Sequence, residues 1–349
     1  MSFNSLLQDR WREANSLLCV GLDPDPDRLP AAVRNQPASI AKFCVDIVDA
    51  TAEFACAFKP QIAYFAAAGA EQQLEAVCEH IRSHHPTVPI ILDAKRGDIG
   101  DTARMYAREA FDRYGAHAVT VNPYMGGDTL APYQEFDGKA IVVLCRTSNP
   151  GSGEFQSRMI DGEPLYKHVA RRAVDEWSKR GEVALVVGAT YPAELAEVRA
   201  IVGDMPLLVP GVGAQGGDPA EVVNNGADSG RAGLGGRQRL ARGILTAVPD
   251  DPLAVSGDSA TSDPPGAEGA VKVLQAVMSA RDREHHCRSR PGHLAMHGQK
   301  SRSRSERVGH WRRQQVHHQH DIPGLARRPE NQPTEPTRHD EQAEHDIAA

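Results

Sequence analysis

Short apolar runs alternate, through most of the chain, with longer stretches in which apolar residues recur every three or four positions. The runs fall at 17–22, 54–58, 88–92, 116–121, 140–144, 183–187 and 206–209 and read as strands. Residues 40–51, 70–83, 101–114, 165–180 and 193–202 read as helices between them. The runs are apolar at nearly every position rather than at alternate ones, the pattern of parallel strands covered on both faces. Seven strands alternating with helices predict an α/β fold with a parallel sheet, which an eighth strand would close into a (β/α)8 TIM barrel.

The eighth strand is where the pattern breaks. Where an apolar run is due after residue 228, the chain reads SGRAGLGGRQRLARGIL, with five glycines and four arginines, followed by a stretch rich in Pro, Asp, Ser and Gly over 249–266. A helix is predicted over 267–281, with Val271, Leu274, Val277 and Met278 on one face. Residues 1–281 are therefore expected to form the barrel domain. Residues 282–349 are rich in Arg, His, Gln and Ser, hold ten of the 15 histidines, and have too few apolar residues to fold alone.

Composition narrows the class. The chain has 349 residues, 40% of them hydrophobic, enough for one large domain and a tail. Aromatics make up only 5%, so the core must rest on Val, Ile, Leu and Ala. A net charge of -7 argues against nucleic acid as the main partner. The six cysteines are scattered without a CxxC pair, as expected of reduced, buried thiols in the cytoplasm. The N-terminal MSFNSLLQDRWREA carries charges early and lacks an apolar signal-peptide core. No stretch approaches the roughly 20 apolar residues of a membrane span. The expectation is a soluble cytoplasmic protein with no membrane association.

In a β/α barrel, catalytic groups sit at the C-terminal ends of strands. The first strand ends in Gly21-Leu22-Asp23 and the second in Phe58-Lys59-Pro60. The third runs into Asp93-Ala94-Lys95-Arg96-Gly97-Asp98. One barrel mouth thus receives Asp23, Lys59, Asp93, Lys95 and Asp98. A lysine at the end of a buried strand is unfavourable unless paired, and interleaved carboxylates meet that need. A salt-bridge network that only closes the barrel is the alternative reading of the same string. No P-loop, no Rossmann GxGxxG and no histidine–carboxylate cluster in the barrel region points to a nucleotide cofactor or a metal.

The segments VGLDPDPDRLP, FKPQIAYFAAAG, ILDAKRGDIGDTA, VNPYMGGD, RTSNPG, VVGAT and LVPGVGAQGGD occur in this order over about residues 1–228. Together they resemble the orotidine 5'-phosphate decarboxylase family, most of all its bacterial DAKRGDIG-type subfamily. The resemblance implies decarboxylation of orotidine 5'-monophosphate to UMP without a cofactor. It implies that Lys95 protonates C6, that Asp93 and Asp98 flank it, and that Lys59 completes the charged array. It also implies a homodimer in which Asp98 and Thr102 reach the partner's site. Asp23 matches a ribose-hydroxyl contact, Ser148 a contact to the pyrimidine ring, and Gln215 a contact bridging phosphate and base. The 211–217 loop, which includes Gly216, offers backbone N–H groups before a helix, a setting that suits phosphate.

The family's eighth strand reads as an apolar pair, then Asn, a small residue, Ser and a phosphate-clasping Arg. Here the region is Gly235-Gly236-Arg237-Gln238-Arg239-Leu240-Ala241-Arg242. One codon set for these eight residues, read one nucleotide later, encodes Val-Ala-Val-Asn-Gly-Ser-Arg, so a change of reading frame accounts for the departure. Arg242 is the best stand-in for the phosphate arginine. Without an eighth strand, the first and seventh would have bare edges, and activity would be low or absent. Two other readings stand beside this one. The first is a metal-assisted barrel decarboxylase of keto-sugar phosphates, which shares the D-x-K-x-x-D string. The second is a non-catalytic product whose basic tail, with RSRS at 302–305, binds RNA. Acids in that tail and the lack of interleaved aromatics weigh against the second.

Overall fold

The computed structural model describes residues 1–212, 217–226 and 244–248. Eight strands form one parallel sheet: β1 (Leu18–Leu22), β2 (Ala55–Pro60), β3 (Ile91–Arg96), β4 (Ala118–Val121), β5 (Ala140–Arg146), β6 (Glu182–Val187), β7 (Leu207–Pro210) and β8 (Ile244–Val248). Their order is β2-β1-β8-β7-β6-β5-β4-β3. Single parallel bridges, Phe58 to Ile90 and Gln61 to Asp93, join the two outer strands and close the barrel. The principal helices are α1 (Phe3–Ala14), α2 (Ser39–Thr51), α3 (Glu71–His84), α4 (Gly100–Arg108), α5 (Leu165–Asp175), α6 (Pro192–Val202) and α7 (Pro219–Gly226). Among the described residues, no helix is long and apolar enough to cross a membrane.

The period-2 alternation of strand side chains sorts the core into two parts. Val119, Ile141, Val143, Val183, Leu185, Leu207 and Val209 pack outward against the helices. Ile91, Ala118, Ala140, Val142, Ala184, Val186 and Leu208 form a separate inner cluster. That inner cluster also contains Phe3, Leu7 and Trp11 of α1, which plug the lumen. Helix α1 was not among the expected elements, although Phe3, Leu7 and Trp11 lie on one face at i, i+4 and i+8 spacing. The helix is fixed by Arg10, whose guanidinium donates to the Ala55 carbonyl at 2.8 Å, and by the Asn4 N–H, which donates to Glu182 at 2.8 Å.

The eighth strand corrects the expectation. Ile244–Val248, just beyond the Gly/Arg-rich run, pairs in parallel with both neighbours. Thr246 lies opposite Leu18 on one side and Val209 on the other, so β1 and β7 do not present bare edges. Arg242, the helix predicted over 267–281 and the tail over 282–349 lie outside the described residues. Two predicted helices end early: 101–114 is α-helical to Arg108 and then widens into a π-turn (Glu109–Arg113), and 165–180 breaks after Asp175 into a 3-10 turn (Trp177–Lys179). Strands β2 and β3 run two and four residues further than their apolar runs, to Pro60 and Arg96, because ladder bonds do not require apolar side chains.

A proline in β8 removes a ladder N–H from a strand paired on both sides. Thr246→Pro is expected to lower stability by at least about 2 kcal/mol, read from the urea unfolding midpoint. An unchanged midpoint would show that this strand does not close the sheet.

Candidate active site

The inward row of each strand changes character as it climbs. On β3, Ile91 belongs to the inner apolar cluster and Asp93 follows at the same period-2 spacing, while a register shift against β4 between Leu92 and Arg96 sets the position of Lys95. On β4, Ala118 is followed by Thr120 in the same way. Above the apolar plug the barrel mouth therefore becomes polar and ionised.

Asp93 is the hub. Its Oδ2 accepts from Lys59 Nζ at 3.0 Å, and its Oδ1 accepts from Lys95 Nζ at 2.6 Å and from Thr120 Oγ1 at 2.9 Å. Lys59 also lies 3.7 Å from Asp23, so two carboxylates and two ammoniums form a neutral chain. Lys59, Asp93 and Thr120 are buried, at 7%, 6% and 1% exposure. The Lys95 side chain retains 46% exposure, which makes it the cation of the array most open to a bound molecule.

Burial alone would raise the Asp93 carboxyl, but the Lys59 and Lys95 ammoniums outweigh it and hold the group at about 2. Burial would lower Lys59, and the charges of Asp93 and Asp23 instead raise it. Asp23 is raised, because burial and the Asp93 charge exceed its share of Lys59 and Lys95. Burial pushes the nearby Cys19 thiol up to about 12, so this thiol is a neutral filler rather than a nucleophile.

The backbone at Lys95 is strained to fit. Its φ is 48°, in the left-handed region that a lysine seldom occupies, and such strain concentrates at functional sites. Thr120 Oγ1 holds the turn, accepting from the Ala94 and Lys95 N–H groups at 2.9 Å each while donating to Asp93. Sequence reasoning missed Thr120. The signal was present: it is the lone hydroxyl inside the apolar run AHAVTV.

The other expected residues fall in different places. Asp98 follows β3 half-buried and accepts from the Ile99 N–H at 2.8 Å. Thr102 is exposed on α4. Among the described residues, the ion pairs of the array do not extend to Asp98. Ser148 is half-buried in the loop after β5, against Gly188, where a Cβ would come within 2.9 Å of its Cα, Cβ and N. That close approach explains the glycine of VVGAT. The same loop is anchored by Arg146, 3% exposed, which binds Glu194, Ser152 and Gln156 and stacks 4.1 Å over the Tyr191 ring. Gln215 and Gly216 lie outside the described residues. The ends of their loop are tied, with Gly217 N–H donating to Gly211 O at 3.0 Å just before α7.

Fold and site together define a closed parallel β/α barrel with an alternating acid–lysine array at the C-terminal strand ends. The sequence profile of the orotidine 5'-phosphate decarboxylase / HUMPS family matches residues 16–234. An orotidine 5'-phosphate decarboxylase of Janthinobacterium sp. (strain Marseille) is 55% identical over 254 residues, 73% of this chain and 93% of the relative. One from Bordetella avium (strain 197N) is 60% identical over 236 residues, 67% of this chain and 87% of the relative. Among solved structures, Leishmania donovani OMP decarboxylase is similar with TM-score 0.64 and 36% identity, over 81% of this chain and 99% of that one. A putative orotidine-monophosphate decarboxylase from Toxoplasma gondii gives TM-score 0.67 and 35% identity, over 81% and 98%. The chain belongs to the orotidine 5'-phosphate decarboxylase / HUMPS family.

Asp93 has its carboxyl near 2 when folded, against about 3.9 when unfolded. A depressed carboxyl contributes stability above the unfolded value, and loses it as pH falls through about 4 toward 2. Lys59→Met removes the buried counter-ion and is expected to destabilise by about 3–5 kcal/mol at neutral pH. The gap should narrow as acid neutralises the orphaned carboxylates. Urea midpoints of both proteins between pH 7 and pH 3 test this, and a gap independent of pH would refute it.

Proposed function

We propose that the protein decarboxylates orotidine 5'-monophosphate to UMP, in pyrimidine biosynthesis, without a cofactor. The carrying observation is the half-exposed Lys95 ammonium held 2.6 Å from the buried Asp93 carboxylate. Loss of carbon dioxide from C6 leaves a vinyl-type carbanion with no adjacent electron sink. A fixed ammonium stabilises that charge and then supplies the proton, which makes Lys95 the general acid. Asp93 orients Lys95 and sets a negative charge beside the departing carboxylate. Lys59 keeps Asp93 ionised, and Asp23 binds the ribose hydroxyls. Ser148 contacts the pyrimidine, and the 211–217 loop with Gln215 and Gly216 takes the phosphate, joined by Arg242. The names of the relatives favour this substrate over keto-sugar phosphates.

Asp98 and Thr102 are assigned to the active site of a second copy in a cytoplasmic homodimer. Support comes from the exposed apolar side chains around them: Ile99 (56%), Met105 (50%), Tyr124 (82%) and Met125 (47%). The loops carrying them are adjacent, since Asn122 N–H donates to Arg96 O at 2.7 Å. An apolar surface rimmed by polar residues is what a partner subunit covers. Residues 1–281 are assigned to the barrel domain and 282–349 to a tail outside the catalytic unit.

The test is the loss of orotidine 5'-monophosphate absorbance. Lys95→Ala is expected to lower kcat by at least about 10³-fold. A variant that keeps a tenth of the unmutated rate would remove Lys95 from the chemistry.

Mixing Lys95→Ala with Asp98→Ala checks the shared site. Random assortment makes half of the dimers mixed, each with one intact site, so about a quarter of the unmutated rate should return. If the mixture stays as inactive as its components, Asp98 does not serve the partner.

A further inference from the structure

Away from the barrel mouth, a histidine–carboxylate cluster lies between two neighbouring helices, which corrects the expectation that the barrel region holds none. Asp49 is on the last turn of α2, His80 is on α3, and His85 is the residue that ends α3. His80 Nε2 lies 2.7 Å and His85 Nε2 2.8 Å from the same atom, Asp49 Oδ1. One ligand atom from each residue falls within 4.8 Å of the other two. The helix ends that carry them lead into β2 and β3, so the cluster sits at the N-terminal end of the barrel. The acid–lysine array sits at the opposite, C-terminal ends of the strands.

We propose that Asp49, His80 and His85 form a binding site for a divalent transition cation of the zinc type. Two imidazoles and one carboxylate suit zinc, copper or nickel better than magnesium or calcium, which prefer all-oxygen shells. Three protein ligands leave a fourth position for water. Bond lengths of about 2.0–2.1 Å set tetrahedral ligand atoms about 3.4 Å apart, so the two Nε2 atoms retreat from Asp49 by about 0.6 Å. The side chains have that freedom: His80 is 20%, His85 23% and Asp49 52% exposed. His80 is already oriented, stacked on His84 with ring centroids 4.2 Å apart and planes at 21°. His84 in turn lies 3.0 Å from Ser83 Oγ and 3.1 Å from the His80 carbonyl through Nδ1. A bound ion joins α2 to α3, whose Ile47, Val48, Val77 and Ile81 share the outer core.

The histidines beyond residue 281 make bulk zinc stoichiometry ambiguous, so the test reads each histidine separately. The full chain is titrated with Zn²⁺ alone and treated with diethylpyrocarbonate, and carbethoxylation is mapped peptide by peptide by mass spectrometry. His80 and His85 should lose reactivity together, over one and the same zinc range, and Mg²⁺ should not protect them. Asp49→Asn, a near-isosteric change at a half-exposed position, should raise the zinc concentration for half-protection by at least about tenfold. It should leave the profile of the histidines beyond residue 281 unchanged. His80→Ala should abolish protection of His85. The proposal is overturned if both histidines stay reactive at ten equivalents, or if Asp49→Asn is protected at the same zinc concentration as the unmutated chain.

Discussion

Everything at the barrel mouth follows from placing one ammonium, that of Lys59, where water does not reach it. A buried cation is tolerated only with counter-charges in contact, and Asp93 and Asp23 supply them at 3.0 and 3.7 Å. Once Asp93 is buried and held ionised, it can hold a second cation at 2.6 Å. That second cation is Lys95, on the solvent side. The array thus converts a burial problem into a fixed ammonium that points outward. An exposed ion pair gives no such definition, because solvent competes for both partners and side-chain entropy blurs the geometry. Apolar residues of the same volume would stabilise the barrel at least as well, so the charges are better explained by chemistry than by stability.

The remainder of the barrel keeps Lys59 and Asp93 dry and the array in register. The plug of Phe3, Leu7 and Trp11 seals the lumen below, alternation along β3 carries the inward row from Ile91 to Asp93, and the register shift beyond Leu92 brings Lys95 onto Asp93. Thr120 uses its full hydrogen-bonding capacity there: one donor to Asp93 and two acceptances from the backbone beneath Lys95. This hydroxyl links the strained turn to the charge it serves. Close packing of Gly188 on Ser148 plays a similar role across the mouth, since any larger residue would displace the loop after β5.

Most of this was legible in the sequence because parallel strands buried on both faces read as unbroken apolar runs, and their ends point to one rim. The seven runs, the five long helices and the clustering of Asp23, Lys59, Asp93 and Lys95 follow from that rule. Other features depend on tertiary partners. Helix α1 is mixed in character, and its apolar stripe has meaning only once there is a lumen to fill. Thr120 looks like an ordinary strand residue until Asp93 lies across the ladder. The histidines of α3 and Asp49 of α2 are more than 30 residues apart in sequence, and only the packing of adjacent barrel helices brings them together.

Closing the sheet and binding a phosphate place two different demands on a barrel segment. Closing the sheet requires backbone N–H and C=O groups in register, and five residues in a row satisfy it. Ile244–Val248 does so between β1 and β7 although the preceding residues are glycine- and arginine-rich. Gripping a phosphate instead requires free donors aimed at one place, N–H groups before a helix or a cationic side chain, and groups already paired in a ladder cannot supply them. The electrostatics of Lys59 and Asp93 depend on the first demand, because a closed sheet keeps water from them. The binding energy of a remote phosphate depends on the second, and it adds to transition-state stabilisation without touching the reacting carbon. Fold, charge array and phosphate grip are therefore three separable layers.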